Sequence, residues 1–511
     1  MESKYSRPEQ TIVQIDNPNY NPRMKMKQPI PALTLLSLLA LASSCLAQDV
    51  IVYPGGSGNW SSTVPNQPWT NGTIPAATNG VWIMDPSINI TVDTATNVYI
   101  GFLEGQGAVT MAANSTLILL GDSAGAQLTS YLDTFDATAS NNTVILEGNI
   151  AHASTVNYYN LVMSNTTGNA SGFYTGPYDG LPGSGFNIAN DCIMYGSNLV
   201  QQSSPDPGSG DPETDITIGH NLIIGTNSIW DPSGSSLTVM GDTFVYGMLE
   251  DLNGALGTNT FMGNITIYPG SRYLNIRQYV PGWYVSDVTQ WELWGNLTNY
   301  GTIFGHGGGC INLFGTNIIA GNPFTLPGMF FNGTTTIETT LTLSNASPVL
   351  LGTLQFDLAN PGELIVQGVK TNILFWVSGN LNVLNSGPAP ASGTVYHLLS
   401  AYQYTNNFAS VSLPTLPNGL SWVNNLTNNG TISVTGTIIP TGSPTLKLNQ
   451  SGSTLTLSWD STTYPGFKVQ AQTNSAGLGS TWYATGSTTT SPFVTTINPS
   501  GSSVFFRLSN K

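Results

Sequence analysis

Charge is what this chain most conspicuously lacks. Only 8% of its 511 residues are charged, against ~25% in ordinary domains. Lys plus Arg total 12, and the helix-forming mixture of Ala, Leu, Glu, Lys and Arg is missing. The formal net charge is −15, so no basic stripe is available to neutralise phosphates, and nucleic acid is excluded as a partner class. Anionic membrane surfaces are disfavoured for the same reason. There are three cysteines, too few for a disulfide framework. The four histidines are scattered without metal-ligand spacing, which leaves no zinc site to propose.

What is present is a phrase: an apolar residue, any residue, Gly, then Asn or Asp, then apolar residues alternating with others. Val239-Met240-Gly241-Asp242-Thr243-Phe244-Val245, Phe261-Met262-Gly263-Asn264-Ile265-Thr266-Ile267 and Leu293-Trp294-Gly295-Asn296-Leu297-Thr298 are copies. Ile218-Gly219-His220-Asn221-Leu222 and Leu313-Phe314-Gly315-Thr316-Asn317-Ile318 are looser ones. The glycines Gly219, Gly241 and Gly263 recur every 22 residues, Gly295 follows after 32 and Gly315 after 20. A period in this range signals stacked one-coil units. Each coil buries its inward residues on the coils above and below, with parallel strands ~4.8 Å apart. Glycine at a corner permits φ > 0, Asn and Asp tolerate it next best, and Asn side chains can bond neighbouring backbone groups.

The N-terminus carries an export signal. Lys25 and Lys27 precede the apolar run Ala32–Ala42, and the small residues Ser43 to Ala47 precede Gln48. The run is shorter than the ~20 residues of a membrane span, so no integral membrane role is implied. Met24 is the natural start of such a signal, with cleavage after Ala47; lipidation at Cys45 is the alternative. Cys192 and Cys310 then remain. At ~22 residues per coil they lie roughly five coils apart, on the order of 25 Å along the axis, whereas a disulfide spans about 7 Å between Cα atoms. Two free thiols are expected.

Short alternating strands divided by turn residues run from Val81-Trp82-Ile83-Met84 and Ile88-Asn89-Ile90-Thr91-Val92-Asp93 through Thr143-Val144-Ile145-Leu146. The opening Gly58-Asn59-Trp60, a proline-bearing turn and Ile90-Thr91-Val92-Asp93 resemble the start of secreted bacterial β-helix proteins. Asn296-Leu297-Thr298-Asn299-Tyr300-Gly301-Thr302-Ile303 is similar to the coil phrase of their autotransporter-associated β-strand repeats. Tyr396 to Ser400 and Asn429 to Val434 resemble the terminal coils of that group. The resemblance implies an all-β chain with a right-handed parallel β-helix over residues 48–440, after an extension and signal peptide over 1–47, and it carries no catalytic motif. Pro440 to Pro444 reads as a linker. Beyond it, about six short strands suggest a small β-sandwich over 441–511. Its Leu457-Ser458-Trp459 opening and Phe505-Phe506-Arg507-Leu508 ending look like the fibronectin-type-III-like modules of secreted bacterial proteins.

Apparent catalytic motifs lack their context. Gly121-Asp122-Ser123-Ala124-Gly125 matches a nucleophile elbow, but no strand–helix alternation surrounds it. Gly305-His306-Gly307 matches one polygalacturonase motif without that family's Asp-Asp pair or Arg-x-Lys phrase, so the paired carboxylates of hydrolysis are missing. A lyase needs a basic proton acceptor, and residues 48–440 offer only Arg272, Arg277 and Lys370 as Lys or Arg.

Two clusters are candidate sites. Asp206, Asp211, Glu213 and Asp215 crowd a Gly- and Pro-bearing loop. Such hard oxygen ligands could hold a structural Ca²⁺, but the spacing is neither an EF-hand nor an RTX repeat, and a solvated acidic loop is the preferred reading. Tyr279, Trp283, Tyr284, Trp291 and Trp294 crowd the stretch that lengthens one coil, with Arg272, Arg277, Asp287 and Glu292 nearby. Aromatic faces stack on sugar rings, so this is a candidate glycan platform, although packing as a loop core against the coil wall is the preferred reading. No other cofactor is implied. The expectation is a structural or adhesive protein at the cell exterior, with a polysaccharide or another cell-envelope component as partner. A polysaccharide lyase or hydrolase of unrecognised type is the alternative.

Overall fold

The computed structural model describes residues 50–77, 79–120, 134–147, 157–165, 171–174, 186–201, 215–232, 235–251, 258–276, 290–306, 310–344, 349–367, 379–402, 404, 408–438, 442–473, 477–485, 489–498, 501 and 503–510. Most of it is strand, in long parallel sheets. The first face is a sheet of 14 strands, the second has 10 and the third has 8. The chain visits them in rotation. Leu222–Ile224 lies on the first face, Ile229–Asp231 on the second, Leu237–Val239 on the third, and Thr243–Val245 returns to the first. At the N-terminal end, a 3-stranded sheet and a 4-stranded sheet occupy the second and third positions of the same rotation. Isolated bridges Ala137↔Tyr158 and Tyr158↔Ile188 carry the latter into the third face.

The repeat phrase predicts the ladder. On the first face Leu222 pairs with Thr243, Thr243 with Ile265 and Ile265 with Leu297. The strand that follows each Gly-Asx therefore always meets its equivalent one coil away. The last, looser copy departs from this. Leu297 pairs with Ile319, which sets Ile318 beside Asn296 and Asn317 beside Gly295. Asn317 turns fully inward and donates its Nδ2 to the carbonyl of Gly295 at 2.6 Å. Its side chain supplies the bond that a neighbouring backbone would otherwise make.

Inward residues alternate with outward ones, and the inward set forms one continuous core from Trp60 to Ile432. Trp60 and Trp69 sit at its N-terminal end, edge to face with centroids 4.7 Å apart. Trp69 Nε1 donates to the Trp60 carbonyl at 2.8 Å, so the indole N–H is satisfied while both rings are buried. At the other end, the antiparallel strands Val395–His397, Leu420–Asn425 and Thr431–Gly436 bring Leu426 and Ile432 into the same core. A second, separate core holds Leu455, Leu457, Trp459 and Val469. It draws on two three-stranded antiparallel sheets, one containing Thr454–Ser458 and the other Lys468–Thr473.

The glycines of the phrase stand where backbones of successive coils approach too closely for a side chain. A Cβ on Gly263 would lie 2.2 Å from the Gly241 carbonyl oxygen, and one on Gly295 2.2 Å from that of Gly263. The stack is interrupted at Gly315, where a Cβ would meet nothing nearer than the Trp294 carbonyl oxygen at 3.5 Å, and resumes at Gly333 and Gly352, where the distances are 2.0 and 1.9 Å. We predict that Gly263→Ala costs about 1–3 kcal/mol, as for overpacking, read as a fall in the urea midpoint. An unchanged midpoint would mean that the corner opens freely.

Cys192 is buried on a first-face strand, and Cys310 begins the third-face strand Cys310–Leu313. Four ladder steps separate the Cys192 strand from Leu297–Asn299, the first-face strand preceding Cys310. This is about 19 Å at ~4.8 Å per step, and five steps separate Phe186–Ile188, the third-face strand just before Cys192, from Cys310–Leu313. The cysteines are thus nearly five coils apart, as the glycine spacing suggests, and far beyond disulfide reach. Burial pushes the Cys192 thiol well up from its ordinary value, with the Asp191 charge adding to it. Thiol counting should find two groups that react in denaturant without reductant, and Cys192 should be unreactive in the native protein.

Candidate functional site

The Asx side chains of the phrase form a line of hydrogen bonds up the corner between the third and first faces. Asp191 Oδ1 accepts from the Asn221 N–H at 3.0 Å, Asn221 Oδ1 from Asp242 at 2.9 Å and Asp242 Oδ1 from Asn264 at 2.8 Å. Asn264 Oδ1 then accepts from Asn296 at 2.9 Å, and Asn296 Oδ1 from Ile318 at 2.8 Å. The first four bonds satisfy backbone donors that lie between strands at the corner, whereas Ile318 already belongs to the strand Thr316–Gly321. His220 Nδ1 adds a 2.7 Å contact to Asp191 near the start of this line.

Aromatic rings flank it. Tyr246 and Tyr268 follow successive first-face strands and stack with centroids 4.0 Å apart and planes at 12°. Tyr300 holds the same place one coil on and is half-exposed. Burial, then the hydrogen bond to Tyr268, push the Tyr246 hydroxyl up from its ordinary value. On the other side of the line, Met240, Met262, Trp294 and Phe314 precede the corner glycines. Trp294 and Phe314 stack at 5.0 Å and 19°, and Met240, Met262 and Trp294 are exposed. Between the flanks, the outward row of the first face is apolar through Ile145, Val162, Ile193, Ile223 and Phe244. It becomes polar or small at Thr266, Thr298 and Ala320.

The candidate glycan platform divides here. Trp291 is 1% exposed and stacks on Phe261 at 5.3 Å, inside the core beneath the third face. This corrects its assignment as a ligand-facing ring: strand alternation turns it inward, where it fills a rung of the core. Trp294, three residues on and just before the corner glycine, falls on the opposite side by the same alternation and is 41% exposed. Tyr279, Trp283, Tyr284, Arg277 and Asp287 lie outside the described residues. Arg272 and Glu292 fall on different faces, the second and the third. Of the acidic cluster, Asp206, Asp211 and Glu213 lie outside the described residues, while Asp215 Oδ1 accepts from the Ser236 N–H at 3.0 Å. Among the described residues, no three His, Cys, Asp or Glu side chains gather as metal ligands. The Gly121–Gly125 motif lies outside the described residues, and His306 ends the second-face strand Thr302–His306.

One carboxylate pair had no sequence signal, because its members belong to different coils. Asp231 and Glu250 end consecutive second-face strands, and the register Trp230↔Leu249 sets them side by side. They are 1% and 7% exposed. Burial, then the Asp231 charge, push Glu250 up to about 7.

No family model, curated protein or solved structure matches this chain. Among the described residues, no helix is long and apolar enough to cross a membrane.

Two measurements follow from this placement. Trp291→Ala should cost about 3–5 kcal/mol, as a core aromatic does, while Trp294→Ala should lower the urea midpoint far less. Equal effects would show that alternation does not separate the rings. Because Glu250 binds its proton more tightly when folded, its contribution to stability is present below its ordinary value of 4.5 and lost as pH rises through about 7. Glu250→Gln should therefore raise the melting temperature above neutral pH and leave it nearly unchanged below 4.5. A variant less stable than the parent above neutral pH would contradict the direction of the shift.

Proposed function

We propose that this protein is an exported structural or adhesive element of the cell exterior. In this reading residues 48–440 form a right-handed parallel β-helix of the secreted bacterial kind, and 441–511 a fibronectin-type-III-like sandwich. One observation carries it: the repeated polar and aromatic side chains are engaged with their own equivalents one coil away. Asx oxygens accept from the next corner, Tyr246 covers Tyr268 and Trp294 covers Phe314. Repetition of this kind builds a rigid rod rather than a reaction centre. The half-exposed Trp294 and Tyr300 and the apolar outward row of the first face are the surfaces from which it would adhere, with a polysaccharide or other envelope component as partner.

Glycan cleavage is the second reading, favoured by the Asp231–Glu250 pair. A carboxyl held protonated near neutral pH beside a second carboxylate is what acid–base cleavage of a glycosidic bond needs. The burial of both groups, 1% and 7% exposed, weighs against it, since a polymer must reach them. A panel of plant and microbial polysaccharides, assayed for both retention and depolymerisation, separates the readings. Adhesion predicts retention, weakened by Trp294→Ala, without new chain ends. Release of oligosaccharides, abolished by Glu250→Gln, would replace the adhesive reading with the enzymatic one.

A further inference from the structure

The few cations of this chain are unevenly placed. Residues 48–440 hold only Arg272, Arg277 and Lys370, whereas the far shorter stretch 441–511 holds Lys447, Lys468, Arg507 and Lys511 against a single acidic side chain, Asp460. The C-terminal sheets are thus a small basic body attached to an acidic coil.

Two of those cations share one sheet surface. Val469 and Leu508 form a register pair and both enter the second core, so their neighbours in the strands face away from it. The pairs Lys468↔Ser509 and Gln470↔Arg507 therefore lie together on the outer side. Arg507 is exposed and yet held. Its Nε–H donates to Gln470 Oε1 at 2.9 Å, and its guanidinium carbon sits 4.4 Å from the centroid of the Trp482 ring. An arginine fixed by one hydrogen bond and one ring loses little rotamer freedom on binding. Its terminal nitrogens keep the fork geometry that fits a carboxylate with two parallel bonds.

We propose that the outer side of this sheet, built from Arg507, Gln470, Trp482 and Lys468, is a binding site for carboxylate-bearing polysaccharide. Arg507 takes a uronate carboxylate through its terminal nitrogens. Lys468, one register pair away, adds a second positive charge for the same chain. Gln470 and Trp482 act as positioning residues, since each holds the guanidinium. The acidic coil repels such a polymer while the basic sheets attract it, so the chain would attach by its C-terminal end and leave the coil projecting. This site stands apart from the aromatic corner, and its fate does not depend on adhesion there.

The test uses the full chain, with retention measured on immobilised polygalacturonate, a phosphate-bearing glycan and a neutral glucan. Polygalacturonate should retain the protein in a salt-sensitive manner, and the neutral glucan should show no salt-sensitive retention. Arg507→Ala should weaken retention by about tenfold or more, and Arg507→Lys should restore only part of it, because it returns the charge without the fork. Lys468→Ala, which leaves the Arg507 contacts in place, should give a smaller loss at an unchanged melting temperature. Retention untouched by Arg507→Ala and Lys468→Ala would overturn the proposal, as would retention by the phosphate-bearing glycan alone. Self-association that Arg507→Ala abolishes, without polygalacturonate retention, would overturn it in favour of the acidic coil of a second copy as the partner.

Discussion

The spacing between successive coils at the corner joining the third and first faces is the constraint on which the rest depends. Parallel strands stack at ~4.8 Å, and at this corner the backbones close up until the position before the Asx admits no Cβ. The next residue carries a short side-chain acceptor that reaches the backbone N–H one coil on. Together they convert a turn, where a ladder would be expected to fray, into a hydrogen-bonded seam. The strands that follow are thereby brought into register, and alternation delivers their apolar side chains to one continuous core.

The scarcity of charge follows from the same geometry. In a parallel coil each side chain sits directly over its equivalent, so a repeated ionised residue would face its own kind along the whole axis, and like charges directly opposite are destabilising. The seam shows how this is managed. Asp191, Asn221, Asp242 and Asn264 alternate carboxylate with amide, so that no two carboxylates meet. Asp231 beside Glu250 breaks the pattern, and its charge adds to the burial that raises the proton affinity of Glu250. Aromatic residues stack well on themselves, and they accordingly occupy the flanks as Tyr246 on Tyr268 and Trp294 on Phe314.

Much of this was legible from residue order. The Gly-Asx phrase marks the corner, and the register of Thr243, Ile265 and Leu297 follows it. Where the phrase loosens, reading fails by two residues: Gly315-Thr316-Asn317 looks like another corner, yet Asn317 turns inward and Ile318 takes the Asx place. Trp291 and Trp294 look alike in sequence because both lie in one aromatic stretch. They stand three residues apart at the end of one strand, and alternation sends the first into the core and leaves the second exposed. The Asp231–Glu250 pair was illegible for a different reason, since adjacency across coils appears only once the register is known. The basic sheet surface was hidden in the same way, because Lys468, Gln470 and Arg507 meet only through antiparallel pairing.

Hydrogen exchange at the seam tests the account most directly. The amides of Asp242, Asn264 and Asn296 lie between strands at the corner, where exchange is ordinarily fast, but each donates to an Asx side chain one coil away. Exchange mass spectrometry on peptides spanning the corner glycines should find these amides protected as strongly as those of the adjoining strands Thr243–Val245 and Ile265–Ile267. Protection should fall at Asn296 when Asn264 is replaced by Ala. Rapid exchange at all three in the native protein would contradict the claim that this seam sets the spacing of the coils.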